Sequence, residues 1–217
     1  MVGAASLLAY MVGFSVAYVS LDAGTGALIL FGVVQISMFT YSSFLGAKPT
    51  ARQVIGAFIA FTGLGVALWP EAGQAAEPLG SLAMVMAGLG WAAYSLSGKN
   101  ARNPLAETAA NFIICLPVLL LLTVFLFHHV TLMGGLLAVL CGAVTSGLGY
   151  ALWYAVLPAL DRNIAAVVQL SVPIIAILAG AVLLSEPVTL GVLTAAGLVI
   201  SGIAMAVTKR SPQGGRS

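Results

Sequence analysis

Residues 146–187 read SGLGYALWYAVLPALDRNIAAVVQLSVPIIAILAGAVLLSEP. The stretch holds the end of one apolar segment, a polar break at Pro158 to Asn163, and a second apolar run from Ile164 to Leu184. That second run carries no charge and is long enough to cross a bilayer, which needs about 20 apolar residues. Inside it sit Gln169, Ser171 and Pro173, residues that are costly to place in hydrocarbon. Reading the run as a membrane span decides the fold, and the polar residues within it raise the question of function.

Composition extends that reading to the whole chain. Of 217 residues 61% are hydrophobic and 6% are charged, against about 25% charged in a soluble domain. So little polar surface cannot keep a folded globule in water. Eight apolar segments follow one another, separated by short polar breaks: approximately Val2–Ser20, Gly26–Leu45, Val54–Trp69, Leu79–Leu96, Thr108–Phe127, Met133–Leu157, Ile164–Leu184 and Val188–Val207. Backbone groups in lipid must be paired within the chain, and the apolarity is continuous rather than alternating. The segments are therefore expected to be helices and not strands of a barrel. The expected fold is an all-α polytopic membrane protein of about eight transmembrane helices.

Charge sets an expected orientation. With eight spans, every Lys and Arg falls on one side: Lys48, Arg52, Lys99, Arg102, Arg162, Lys209, Arg210 and Arg216. Asp22, Glu71, Glu77, His128, His129 and Glu186 fall on the other. The positive-inside rule then makes both termini and the basic loops cytoplasmic, in a multi-pass protein of the cytoplasmic (inner) membrane. No Lys or Arg precedes the first apolar run, so residues 1–20 read as a span and not as a cleavable signal. No basic block suggests nucleic acid. Cys115 and Cys141 lie in apolar runs without paired spacing, and the default reading is small buried packers.

The array contains a repeat. A shift of 139 residues, the distance from Asp22 to Asp161, lays the first three segments on the last three without a gap. Gly56, Ala60, Gly63 and Ala67 form a small-residue stripe on the third segment, and Ala195, Gly202 and Ala206 form the corresponding stripe on the last. Such stripes let helices approach closely in lipid. Five helices separate the starts of the two copies, an odd number, so they are expected to be inverted, an arrangement found in secondary transporters with solute bound near the midplane. A duplication kept only for packing is the alternative.

The residues also resemble a family. GYALWY at 149–154, AAVVQLSVPIIA at 165–176 and LLSEPVT at 183–189, followed by a glycine-bearing last helix, are similar to the end of an EamA-type repeat of the drug/metabolite transporter superfamily. Residues 24–69 resemble the end of a preceding repeat, with Ala47 where that loop often has an acidic residue. Members have ten helices in two inverted five-helix repeats. The resemblance implies a partial first repeat of three helices over residues 1–70, a full second repeat of five over 79–208, and a cytoplasmic tail over 209–217. The first two helices of the family plan have no counterpart here: either the true start lies upstream of Met1 or the chain is a shortened member. The resemblance further implies efflux or exchange of a small metabolite or drug-like solute.

Candidate chemistry is confined to polar and aromatic residues inside spans. Tyr150, Trp153 and Tyr154 share a face with Ser146; Trp91 and Tyr94 are neighbours with Ser95; Asn111 lies one turn from Cys115; Gln35 lines up with Phe39 and Ser42. Gln169 shares a face with Pro173, whose missing donor should free a carbonyl one turn earlier. Polar tips on aromatic walls suit a pocket for a small amphipathic solute. Each residue also has a plainer reading: interfacial belt for Tyr154, and interhelical hydrogen bonding for Gln169, Gln35 and Asn111. Pro173 is a candidate kink, and Glu186 a candidate external gate or simple turn cap. No nucleophile–base pair, metal-ligand cluster or phosphate loop is present, so neither an enzyme nor a cofactor is expected. A channel would favour a continuous polar lining or charge ring, which the spans lack. The expected partners are the lipid bilayer and a small solute, with a homodimer admitted.

Overall fold

The computed structural model describes residues 2–21, 23–68, 77–98, 103–126, 131–175, 182 and 190–208. Each of the eight apolar segments holds one helix: α1 (Val2–Ala17), α2 (Ala23–Phe44), α3 (Ala51–Leu68), α4 (Pro78–Gly98), α5 (Pro104–Leu126), α6 (Leu132–Ala159), α7 (Arg162–Ile175) and α8 (Leu190–Val207). Among the described residues there is no strand. By length and composition α2, α4, α5 and α6 can cross a membrane, and the other four are shorter apolar helices. The chain is an all-α polytopic membrane protein. Asp22, Trp69, Glu71, Lys99, Arg102, His128, His129, Glu186 and the basic tail lie outside the described residues.

Helix boundaries follow local chemistry. Thr50 and Gln53 form a reciprocal box at the start of α3: the Thr50 N–H donates to Gln53 Oε1 (2.8 Å) and the Gln53 N–H to Thr50 Oγ1 (3.3 Å). Asn103 Oδ1 accepts from the Ala106 N–H at the start of α5, and Thr131 Oγ1 from the Gly134 N–H at the start of α6. Glu77 caps α4 by accepting from the Leu79 and Gly80 N–H groups. It also accepts from the Ser20 hydroxyl, just beyond the end of α1 (3.1 Å). Burial is absent at this carboxylate, and the backbone N–H of Gly80, then that of Leu79, hold its pKa below the ordinary carboxylate value. After α2 the chain reverses at Gly46, with φ of 78°. There the Ala47 N–H reaches back to the Ser42 carbonyl and the Gly46 N–H to that of Ser43.

Two helices depart from regular α geometry. α6 widens to a π-helix over Cys141–Leu148 and tightens to a 3-10 turn over Leu157–Ala159. α7 tightens to a 3-10 turn over Gln169–Ser171, just ahead of Pro173. The proline removes a donor as expected, but the Gln169 carbonyl is not left free, because the Val172 N–H takes it.

The chain forms two compact units, each drawing helices from two separate stretches of the sequence. The first comprises residues 1–21 and 77–161, hence α1, α4, α5 and α6. Its centre is an antiparallel pairing of α1 and α4. A methyl group on Gly13 would lie 2.7 Å from the Ala83 carbonyl, and one on Gly90 2.7 Å from that of Ser6. The outer faces of α5 and α6 expose Ile113, Leu116, Leu120, Leu121, Val124, Leu136, Leu137, Leu140 and Leu148. In water each such side chain would forgo about 1.5–3 kcal/mol of burial; against lipid tails there is no such loss. Cys141 belongs to this exposed surface, contrary to the expectation of a buried packer, whereas Cys115 is buried and donates to the Ala4 carbonyl (3.2 Å).

The second unit comprises residues 22–76 and 162–217, hence α2, α3, α7 and α8. α3 and α8 run antiparallel along the two small-residue stripes. A methyl group on Gly56 would run into the Gly202 carbonyl, and one on Gly202 into that of Gly56. One on Gly63 would lie 2.9 Å from the Ala195 carbonyl. Phe39 and Ile203 pack on Ala57, Val167 and Ala206 beside this seam.

Candidate functional site

The first unit gathers rings from four helices. Trp91 and Tyr94 from α4 meet Tyr150 and Tyr154 from α6, Tyr10 from α1 and Phe112 from α5. Tyr150 is the hub, with centroids 5.4 Å from Trp91, 6.0 Å from Tyr94 and 5.1 Å from Phe112. Its edge-on contacts with Trp91 and Phe112 are the arrangement ring quadrupoles favour. The Tyr10 and Tyr150 hydroxyls pair with each other. Tyr154 is buried, 2% exposed, and donates to the Tyr94 carbonyl (2.9 Å). It is therefore part of the packed interior and not of an interfacial belt. Its ring occupies the space beside Gly98, where any side chain would overlap it.

A cavity of about 260 Å³ adjoins Tyr94 and Tyr154. It lies at the last turn of α4, the first turns of α5 and the start of α1. Ser97, Gly98, Glu107, Thr108, Asn111 and Gly3 complete most of its wall. Thr108 is 5% exposed, and its hydroxyl has no hydrogen-bond partner among the described residues. Asn111 is half-buried, with its amide packed against Gly3. Glu107, in the first turn of α5, stays exposed and stands at the rim. A larger groove of about 620 Å³ between α1, α4 and α5 is walled mainly by Met11, Val16, Val19, Leu119 and Leu122. That lining suits acyl chains better than a polar solute.

Of the eight residues that the sequence marks as solute contacts, six fall in this unit. Trp91, Tyr94, Tyr150 and Tyr154 touch in one cluster, and Asn111 joins them through the cavity. Trp153 lies one residue off that face, half-buried with its indole N–H unpartnered. Gln35 and Gln169 fall in the second unit. The Gln169 amide donates to the Ala165 carbonyl of its own helix (3.0 Å) and approaches Met38 Sδ of α2 (3.5 Å). Gln35 is 8% exposed and among the described residues neither amide atom has a partner, nor has the hydroxyl of fully buried Ser42 on the same face. Among those residues the interhelical hydrogen bond expected of Gln35 is not made. Pro173 is buried beyond the 3-10 turn of α7. Glu186 lies outside the described residues.

Four contributors escaped the sequence reading: Tyr10, Phe112, Thr108 and Glu107. Glu107 and Asn111 are one helical turn apart, a spacing visible in the sequence. Nothing in the sequence says that α1 brings Tyr10 to α4.

The fold and this site define a polytopic helical membrane protein with a small aromatic and polar cavity. Residues 78–208 match the EamA-like transporter family, and the chain belongs to that family. It is 43% identical over 211 residues to an uncharacterized protein of Pseudomonas aeruginosa, covering 96% of this chain and 73% of that one. It is 28% identical over 210 residues to an uncharacterized transporter of Archaeoglobus fulgidus, covering 93% and 74% respectively. A crystal structure of a protein 21% identical in sequence has a similar fold, with a TM-score of 0.81 over 95% of this chain and 74% of that one.

Proposed function

We propose that the chain is a secondary transporter that exports or exchanges a small metabolite by alternating access, with the aromatic cluster and its cavity in the first unit as the solute site. The observation that carries this is the meeting of Trp91, Tyr94, Tyr150 and Tyr154 beside a cavity whose wall includes the unpartnered Thr108 hydroxyl. Buried polar groups are normally paired, and one left over on a cavity wall is available to a ligand. Gln35 and Gln169 are further candidate solute contacts, within the second unit.

The transport cycle moves one inverted repeat against the other in the inner membrane, with both termini cytoplasmic. The seam between α3 and α8 supports the repeat. Under the 139-residue offset Gly56 maps to Ala195 and Gly63 to Gly202, so the contact of Gly56 with Gly202 maps onto that of Ala195 with Gly63. Both contacts are made, and the helices are antiparallel.

Purified protein in liposomes is expected to move at least one solute of a broad metabolite panel. Tyr150→Ala or Gln169→Ala is expected to lower that flux about tenfold or more while helicity and monodispersity persist. Absence of flux across the panel by well-folded protein overturns the reading.

A further inference from the structure

We infer that the cavity at the Glu107 end of the first unit receives the ammonium group of a small primary amine, with the Glu107 carboxylate as its counter-charge. This rests on the reading of that cavity as the solute site and adds the class of solute. The assignment follows from which hydrogen-bonding roles the wall leaves open. The Ser97 proton is committed to the Ala93 carbonyl (2.8 Å) and the Tyr154 proton to the Tyr94 carbonyl (2.9 Å). Both oxygens are therefore left as acceptors only. Glu107 adds two more acceptor oxygens and a negative charge, and Asn111 a carbonyl oxygen together with two N–H donors. The Thr108 and Tyr94 hydroxyls, unpartnered among the described residues, serve in either role. Among the described residues no Lys or Arg lines the cavity.

A wall so rich in acceptors calls for a ligand rich in donors. A primary ammonium has three N–H donors and no acceptor. A carboxylate or phosphate would meet like charge at Glu107. Tyr94 and Tyr154 also line the cavity, and an aromatic ring within about 6 Å attracts ammonium through its quadrupole. Size narrows the class again: about 260 Å³ falls below the ~300–1,000 Å³ of drug-sized sites. The ammonium has two sources, a free amine or the headgroup of an ethanolamine lipid, and the shared chemistry is what the cavity recognises.

The test is a saturation-transfer NMR titration of the purified full chain in phosphatidylglycerol nanodiscs at pH 7. Tyramine is compared with 4-ethylphenol, the same ring and two-carbon chain without the ammonium group. Wild-type protein is expected to bind tyramine about tenfold or more tighter, by charge pairing and ring attraction. Glu107→Gln is expected to remove that preference and leave 4-ethylphenol unchanged. Because Glu107 is exposed, this substitution leaves packing intact, as circular dichroism and size exclusion will verify. Thr108→Val, which keeps side-chain shape, is expected to weaken tyramine a few-fold. Equal affinity for the two probes, or a Glu107→Gln variant that keeps its preference, overturns the assignment. Repeating the titration with one third phosphatidylethanolamine identifies the source. Competition that vanishes in Glu107→Gln supports the ammonium site and makes the headgroup its occupant; absence of competition supports a free amine. The transport reading fails separately. A chain that moves a neutral or anionic solute while ignoring tyramine refutes only the amine, and one that binds tyramine through Glu107 but moves no solute refutes only transport.

Discussion

At the scale of single residues, the site depends on one glycine. Gly98 sits where the Tyr154 ring lies, so Gly98→Ala must push that ring off Tyr94 and break its hydrogen bond to the Tyr94 carbonyl. Overpacking of this kind costs about 1–3 kcal/mol. We expect a lower thermal midpoint and a weakened near-ultraviolet aromatic signal, and an unchanged midpoint would refute the packing described. Tyr154→Phe removes only the hydrogen bond and is expected to cost less, about 0.5–1.5 kcal/mol. Glu77 has a pH signature. Its folded pKa is lowered by backbone donors, so its capping contribution is present above the ordinary carboxylate pKa and is lost as pH falls through the lowered folded value. Glu77→Gln should flatten the acid limb of a stability-versus-pH curve; an acid limb identical to wild type would count against the cap. Much of this scale was not legible beforehand. The helical spacing of Tyr150 and Tyr154, and the adjacency of Trp91 and Tyr94, marked residues that the structure brings into contact. The same sequence offered an interfacial belt for Tyr154, because burial depends on a partner helix that the spacing does not name.

At the scale of helices, the seam between α3 and α8 yields a comparison with an internal control. Gly56 and Gly202 touch opposing backbone, whereas Gly65 and Gly197 have open space where a side chain would go. Gly56→Ala and Gly202→Ala are each expected to destabilise by about 1–3 kcal/mol through helix separation. Gly65→Ala and Gly197→Ala should be neutral or stabilise by about 0.5–1 kcal/mol through helix propensity. Thermal unfolding of all four in one detergent decides it, and a uniform response would dismiss the seam. The stripes themselves were plain in the sequence, since small residues at helical spacing in an apolar helix admit few other uses. The irregular turn in α7 was plain in part. Pro173 announced a lost donor, but the 3-10 turn that lets Val172 satisfy the Gln169 carbonyl is a local relaxation that no residue type encodes.

At the scale of the whole molecule, orientation is open to direct measurement. A reporter active only in the cytoplasm is expected to work when fused at Ser217 and to fail when inserted between Pro70 and Pro78, following the charge asymmetry of the loops. The reverse pattern would overturn the topology and put the Glu107 cavity on the opposite face. What the sequence determined alone is the solvent and the elements. With 6% of residues charged and eight apolar segments, the chain has to satisfy its backbone inside helices, in lipid. Those are properties of composition and of near neighbours in the chain. What only the tertiary structure decided is the grouping: α1 with α4, α5 and α6, and α2 and α3 with α7 and α8. That grouping brings Tyr10 to Trp91 and Phe112 to Tyr150, sets Thr108 and Glu107 on a cavity with Tyr154, and leaves Gln35 buried without a partner among the described residues. The physical reason is that lipid tails are as apolar as the helices. Hydrophobicity therefore writes each helix into the sequence but not its neighbour, and close packing of particular side chains, which exists only once the helices meet, makes that choice.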